Sequence, residues 1–202
     1  MNSLGAHEVL ELHEVLNDAI HGLNTLKLFR PHAQDQMLQS MMDRHIQALT
    51  MEYNNMVQMA NQQGAGQAVP ARRINIGMNA ANNMNQTFQP SYGLRNPQTQ
   101  APARTAQEVG DVDVALCVVN CHKQTASLKM KAALEMANPN LRMVMQQGAN
   151  ASADMAYEGF QFANQRGYYQ VPTLKDTTQN NYLQSYGTVQ TQQTPQTDMP
   201  LI

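Results

Sequence analysis

The chain has 202 residues, a length typical of one domain or at most two. Only 14% of the residues are charged and the formal net charge is −2, which argues against a nucleic-acid-binding surface or a polybasic membrane surface. Two cysteines are too few for a disulfide framework, and no apolar run approaches the roughly 20 residues that cross a bilayer. The N-terminus lacks a signal-peptide pattern, so we expect an amide-rich protein made in a reducing compartment, without membrane insertion.

Residues 4–63 are predicted to form a first hairpin of two helices. In the first helix, apolar side chains such as Val9 and Ile20 recur every three or four residues. Pro31 is interpreted as the start of the second helix, Gly64 as its C-cap, and residues 27–30 as the connection between the helices. The second helix, over about residues 31–63, repeats seven residues at helical spacing: Leu38, Met42, His45, Leu49, Glu52, Met56 and Met59.

Residues 109–170 are predicted to form a second hairpin. Its first helix covers about residues 110–138, and its second covers about residues 139–166. Asn138 is a suitable N-cap, Pro139 fits the first helical turn, and Gly167 is a natural stop. The apolar stripe of the first of these helices is expected to include Leu116, Val119, Ala126, Met130, Ala133, Leu134 and Ala137.

The connection at residues 64–108 and the tail at residues 171–202 have a different composition. Both are rich in Asn, Gln and Pro, and such segments bury too little apolar surface to offset the entropy of ordering. We therefore expect both to be extended or disordered unless a partner orders them.

The order of these elements predicts an all-α fold. Two helical hairpins joined by one long crossover are typical of a ferritin-like antiparallel four-helix bundle, followed here by a low-complexity C-terminal tail. The alternative is two separate hairpins that each dimerise. Because neither hairpin alone has much core, the single bundle is favoured.

A ferritin-like topology raises the question of a metal site. A di-iron bundle uses two Glu-x-x-His motifs, and the chain contains none. The candidate ligands that remain are His13, His45, Glu52 and His122, so we expect no metal site and no cofactor, with these four residues as the candidates if a site exists. Otherwise His45 and Glu52 are expected to be hydrogen-bonded polar residues of the core or of an interface, and the acidic residues of the first helix a solvated face.

The remaining reactive residues give weak signals. Cys117 and Cys121 lie one helical turn apart and are interpreted as small buried apolar side chains, with cross-linking between molecules as the alternative. The sequence has no nucleophile motif and no phosphate-binding glycine-rich loop, which favours a protein without enzymatic activity.

The second hairpin resembles the Coat F family of bacterial endospore coat proteins. The resemblance lies in the runs Asp113–Lys123, Ala132–Arg142 and Phe162–Pro172, with an Asn-Pro-x-Leu-Arg corner and a closing Arg-Gly-Tyr-Tyr. It implies a ferritin-like structural building block of the spore shell, without catalytic residues. It also implies synthesis in the mother-cell cytoplasm and localisation in the endospore coat. Family members often keep acidic residues where this chain has small and amide residues, Gln147 to Ala156, which further weakens a metal site.

Two functions follow as hypotheses. The first is a structural coat protein that associates with itself and with other coat proteins, since a weakly charged surface does not repel copies of itself. The alternative is a ferritin-like metalloprotein, such as a di-metal oxidase, a catalase or a metal-binding protein. Nucleic acid is not expected as a partner.

Overall fold

A computed structural model describes residues 4–63, 88–96 and 101–189 of the chain. The described part is all-α: it contains five α-helices and, apart from one isolated bridge between Tyr92 and Val171, no β-structure. Two compact units divide the chain between Val171 and Pro172. The first unit holds four long helices: α1 (Ala6–Phe29), α2 (Gln36–Gln63), α3 (Asp111–Glu135) and α4 (Pro139–Gln165). The second holds the short helix α5 (Asp176–Leu183).

Contacts between α1 and α3 show that these helices run in opposite directions. Glu11 pairs with Lys131 at 3.2 Å, and about two turns further along α1, Asp18 accepts a hydrogen bond from Thr125 at 2.8 Å. Residue numbers therefore rise along α1 as they fall along α3, and the two hairpins contact each other along this antiparallel pair.

By contrast, α2 and α3 run in the same direction. His45 contacts His122 at 3.0 Å and Glu52 pairs with Lys129 at 2.7 Å, so both pairs join residues that are 77 positions apart. Since α2 and α3 are parallel, α3 begins at the end of the molecule where α2 also begins.

Small residues allow α3 and α4 to pack closely. A Cβ atom on Gly159 of α4 would lie 3.1 Å from Cγ2 of Val119 on α3, so no larger side chain fits there without movement. Ala132, Ala133 and Ala156 are also buried. The apolar core extends through all four long helices, because buried side chains of each helix belong to its two contiguous clusters.

The predicted apolar stripe of α3 is buried only in part, since Val119 and Ala133 are fully buried but other members are exposed. Leu134 and Met130 are 68% and 39% exposed, and Val9 and Ile20 of α1 are 51% and 43% exposed. The buried face of α3 instead includes His122, Thr125 and Lys129. Because three polar residues occupy core positions of α3, the spacing of apolar residues alone located the buried face only in part.

The prediction that Pro31 starts the second helix was wrong. Pro31 lies in a 3₁₀ turn, Arg30–His32, and α2 begins at Gln36. Asp35 is the N-cap, since its carboxylate accepts hydrogen bonds from the backbone N–H groups of Met37 at 2.7 Å and Leu38 at 3.3 Å. The tight turn accommodates the fixed φ of proline. The connection therefore covers residues 30–35 instead of 27–30. Gly64 lies outside the described residues.

The ends of α4 are as predicted. The Asn138 side chain accepts hydrogen bonds from the N–H groups of Asn140 and Leu141, and Pro139 is the first helical residue. Gly167 follows the helix with a φ of +75°, a left-handed conformation that favours glycine. This conformation lets the N–H groups of Tyr168 and Tyr169 reach the carbonyl of Ala163.

Part of the predicted crossover has a defined conformation against the second hairpin. The buried Asn164 side chain accepts a hydrogen bond from the Ser91 N–H at 2.8 Å, and it donates to the carbonyls of Ser91 at 3.1 Å and Tyr169 at 2.9 Å. Phe88 packs edge-on against Phe160 of α4. Residues 88–96 form neither helix nor strand, apart from the isolated bridge at Tyr92, and they are held by these contacts within the chain; residues 64–87 and 97–100 lie outside the described part.

Replacing Asn164 with Ala is expected to release the 88–96 segment from α4. The substitution removes three hydrogen bonds and leaves the Ser91 N–H without its acceptor, which costs about 1–3 kcal/mol of unfolding free energy. Hydrogen–deuterium exchange at the Ser91 amide should accelerate far more than exchange in the middle of α3. Asn140→Ala, at an exposed position of α4, is the matched control, and equal exchange at Ser91 in both variants would contradict this role.

The tail also differs from expectation, because it contains α5. Asp176 lies in the first turn of this eight-residue helix, where a negative charge is favourable. The polar composition of residues 171–202 therefore concealed a short helix, while residues 190–202 lie outside the described part.

Candidate functional site

The most unusual feature of the core is a set of six polar residues from three helices, which we call the polar ladder: His45, Glu52, His122, Lys129, Ser152 and Glu158. All but Glu158 are at most 4% exposed. Polar groups are costly to bury unless they are paired, so the partners of these residues decide what the ladder can do.

The first layer of the ladder is a chain of hydrogen bonds from the core to the surface. Nε2 of His122 lies 3.0 Å from Nδ1 of His45, and Nε2 of His45 lies 3.0 Å from a carboxylate oxygen of Glu158. Arg44, which is half exposed, pairs with the other oxygen of Glu158. An ionised carboxylate can only accept hydrogen bonds. A neutral His45 ring therefore donates a hydrogen bond to Glu158 through Nε2 and accepts one from Nε2 of His122 at its Nδ1. Nδ1 of His122 then has no hydrogen-bond partner within the described part of the chain.

Electrostatics keep the two ends of this layer in different states. Burial raises the pKa of Glu158, but the hydrogen bond and charge of His45 and the guanidinium of Arg44 outweigh it, so the pKa lies below its ordinary value. For His122, burial lowers the pKa well below the ordinary value, and the neighbouring His45 and Lys129 act in the same direction. His122 is therefore neutral at neutral pH, while Glu158 is ionised.

The pKa of His122 predicts that the fold loses stability on mild acidification. In the unfolded chain this imidazole gains a proton below about pH 6.5, whereas in the folded chain it stays neutral. The contribution of this residue to the free energy of unfolding is therefore complete above about pH 6.5 and decreases as the pH falls below that value. The slope from this residue approaches about 1.4 kcal/mol per pH unit. Chemical denaturation between pH 7 and pH 5 should show a shallower slope for His122→Gln, and the wild-type slope for the exposed control His13→Gln. Identical slopes in all three proteins would refute this assignment.

The second layer is an ion pair that is almost completely buried. Nζ of Lys129 lies 2.7 Å from Oε1 of Glu52 and donates a hydrogen bond to the Ser152 hydroxyl at 3.1 Å. The side chains of Lys129 and Glu52 are 1% and 5% exposed. Gly148 of α4 provides the space, because a Cβ atom there would collide with the Glu52 carboxylate. The positive charge opposite Glu52 is thus the ammonium group of the chain itself.

Helix periodicity explains why the two layers stack. His45 and Glu52 are seven residues apart on α2, and His122 and Lys129 are seven apart on α3, so each pair lies on one face after two helical turns. Since α2 and α3 are parallel, both layers form in the same register.

The structure brings together three of the four candidate ligands. His45, Glu52 and His122 lie in the polar ladder, whereas His13 is exposed on α1, 3.0 Å from Asn17. Among the residues that the structure describes, no group of three or more His, Cys, Asp or Glu side chains has the geometry to hold a metal ion. Sequence reasoning missed Lys129 and Ser152, although the seven-residue spacing of Lys129 from His122 was visible.

The expectation of a solvated acidic face on α1 was wrong for Glu8. This residue is 4% exposed, and its carboxylate accepts hydrogen bonds from the backbone N–H groups of Gly5 and Asn138, both at 2.6 Å. Burial raises its pKa, but the donors of Asn138, Gly5 and Ala137 outweigh that effect, so the pKa is lowered. Glu8 therefore connects the start of α1 to the corner between α3 and α4.

The two cysteines are free and partly buried on α3. Burial raises the pKa of Cys117, and it raises the pKa of Cys121 to about 11, with the charges of Cys117 and Asp18 acting in the same direction. Both thiols are protonated at neutral pH, which suits packing better than nucleophilic chemistry.

The residues behind the Coat F resemblance have structural contacts. Lys123 lies over the Tyr169 ring, 4.9 Å from its centroid, and Arg166 pairs with Asp35 at the start of α2. Arg142 donates to the carbonyl of Ala133 at 3.2 Å across the α3–α4 corner. Arg142 and Arg166 therefore join helix ends, and Lys123 contacts the segment that follows α4.

Comparison with known proteins finds similarity to spore coat proteins. Residues 110–172 match the family model of the Coat F domain. Over 191 residues, the chain is 28% identical to the spore coat protein F-like protein YhcQ of Bacillus subtilis (strain 168), an alignment that covers 95% of this chain and 84% of that protein. No solved structure matches.

The Coat F match covers the second hairpin, and both matches support the predicted localisation in the endospore coat. None of the helices in the described ranges has the length and apolar character to cross a membrane.

Proposed function

We propose that the chain is a structural protein of the endospore coat, built on a ferritin-like four-helix bundle, which acts by associating with itself and with other coat proteins. The observation that carries this proposal is the placement of the Coat F residues. Asn138, Arg142, Arg166 and Gly167 serve helix ends and corners, so the features shared with the family maintain a shape. A structural role of this kind requires no catalytic residue.

The surface supports association. Leu134, Val9 and Ile20 are large apolar side chains that are 43–68% exposed on α1 and α3, and the net charge of −2 gives little repulsion between copies. The parallel direction of α2 and α3 supports a ferritin-like topology, since it requires a long connection between the hairpins.

Sedimentation velocity over a range of protein concentrations tests the proposal. We expect a weight-average mass that rises with concentration, and a smaller rise after Leu134→Gln and Val9→Gln. Thr105→Gln, at another exposed position, is the control and should leave the rise unchanged. A monomer at every concentration would contradict self-association.

The metalloprotein alternative is tested by elemental analysis of protein purified without chelators. The structure favours a filled core over a metal site, because Lys129 already supplies a positive charge opposite Glu52. Stoichiometric iron or manganese that is lost on His45→Gln would overturn the structural proposal.

A further inference from the structure

The interface between the two hairpins is a candidate contact between copies of the chain. Within the described residues, the contacts that join α1–α2 to α3–α4 are all noncovalent. Any second copy has the same two complementary surfaces. The interface is also specific, because both layers of the polar ladder form only in one register of α2 against α3. In this register each ladder residue of α2 lies beside the residue that is 77 positions later in the chain.

The covalent connection permits pairing with another copy. Phe88 and Ser91 are fixed to α4, so the segment at 88–96 belongs with the second hairpin. Twenty-four residues separate Gln63 from Phe88, and such a length reaches up to ~80 Å when extended. The helix α2, with 28 residues, is only ~42 Å long. The first hairpin can therefore reach either its own second hairpin or that of a neighbouring copy.

We propose that the chain self-associates by exchanging hairpins, with α1–α2 of one copy packed on α3–α4 of another. The exchanged form rebuilds the same polar ladder, with His45 and Glu52 from one copy and His122, Lys129, Ser152 and Glu158 from the other. Because exchange reuses every contact of the closed chain, it requires no new interface. Reciprocal exchange closes a dimer, and one-way exchange extends to a polymer. This inference rests on the proposed self-association and names its interface.

The partly buried contact between Asp18 and Thr125 allows a direct test. These side chains lie 2.8 Å apart on α1 and α3, and Thr125 is 5% exposed, so they meet only across the hairpin interface. In a background with Cys117→Ser and Cys121→Ser, one tagged full-length chain carries Asp18→Cys and a second, differently tagged chain carries Thr125→Cys. The two are co-expressed, oxidised and run on a non-reducing gel.

Hairpin exchange predicts a disulfide-linked heterodimer that carries both tags and disappears on reduction. One chain with both substitutions is the geometric control, and it should cross-link efficiently within the chain, between chains or both. Cross-linking only inside the doubly substituted chain, with none between the singly substituted chains, would overturn hairpin exchange. If those chains still assemble in sedimentation, self-association stands and only its interface changes; if they stay monomeric, the proposed function fails as well.

Discussion

Replacing Lys129 with Met is expected to lower the free energy of unfolding by about 3–5 kcal/mol. The substitution leaves the Glu52 carboxylate in the core without a counter-charge, and it removes the donor to Ser152. A buried carboxylate without a counter-charge is strongly destabilising, so the loss should far exceed that caused by removing an exposed lysine. Urea denaturation at neutral pH measures the loss.

Two matched variants distinguish the effect of leaving a buried charge unpaired from the effect of losing any lysine side chain. Lys131→Met removes a lysine that is 67% exposed and paired with Glu11, and it should cost less than about 1 kcal/mol. The double variant Glu52→Met with Lys129→Met removes both charges and should recover most of the stability lost in Lys129→Met, because paired apolar residues often replace a buried ion pair without loss. A Lys129→Met variant as stable as Lys131→Met would contradict the buried pair.

Replacing Gly148 with Ala is expected to destabilise the protein by about 1–3 kcal/mol, although Ala is the better helix former. The added Cβ would collide with the Glu52 carboxylate and lie 3.2 Å from the Lys129 chain, so the second layer of the ladder must move. Thermal and chemical denaturation measure the change.

Asn150→Ala is the control for helix propensity, because Asn150 is exposed on α4 two residues away. It should leave stability unchanged or raise it slightly. If Gly148→Ala also raised stability, α4 would not need a glycine opposite Glu52.

The four long helices could be predicted because helical periodicity is local. Their ends were predictable where a local signal marks them, such as the Asn138 side-chain cap or the left-handed Gly167. The predicted start at Pro31 was wrong, because a 3₁₀ turn competes there with an α-helix. The short helix α5 was missed because its apolar residues are few and exposed, so no periodic face appears.

The polar ladder was only partly predictable for a different reason. His45 and Glu52 lie on the apolar stripe of α2, which indicated that they are buried, but their partners are on α3 and α4. Which residue meets which depends on the register between hairpins, and that register is set by packing of residues 77 positions apart rather than by local spacing. Lys129 was overlooked because a lone lysine in a helix is usually exposed.

Localising the protein during sporulation is the most direct test of a structural role in the endospore coat. A fluorescently tagged full-length chain, expressed from its own promoter, should collect on the forespore surface and remain with the extracted coat fraction of mature spores. The same should hold for Lys131→Met, whereas Lys129→Met should assemble poorly because its fold is weakened. A diffuse signal in the mother cell, with none on the forespore and none in the coat fraction, would contradict a structural role in the coat.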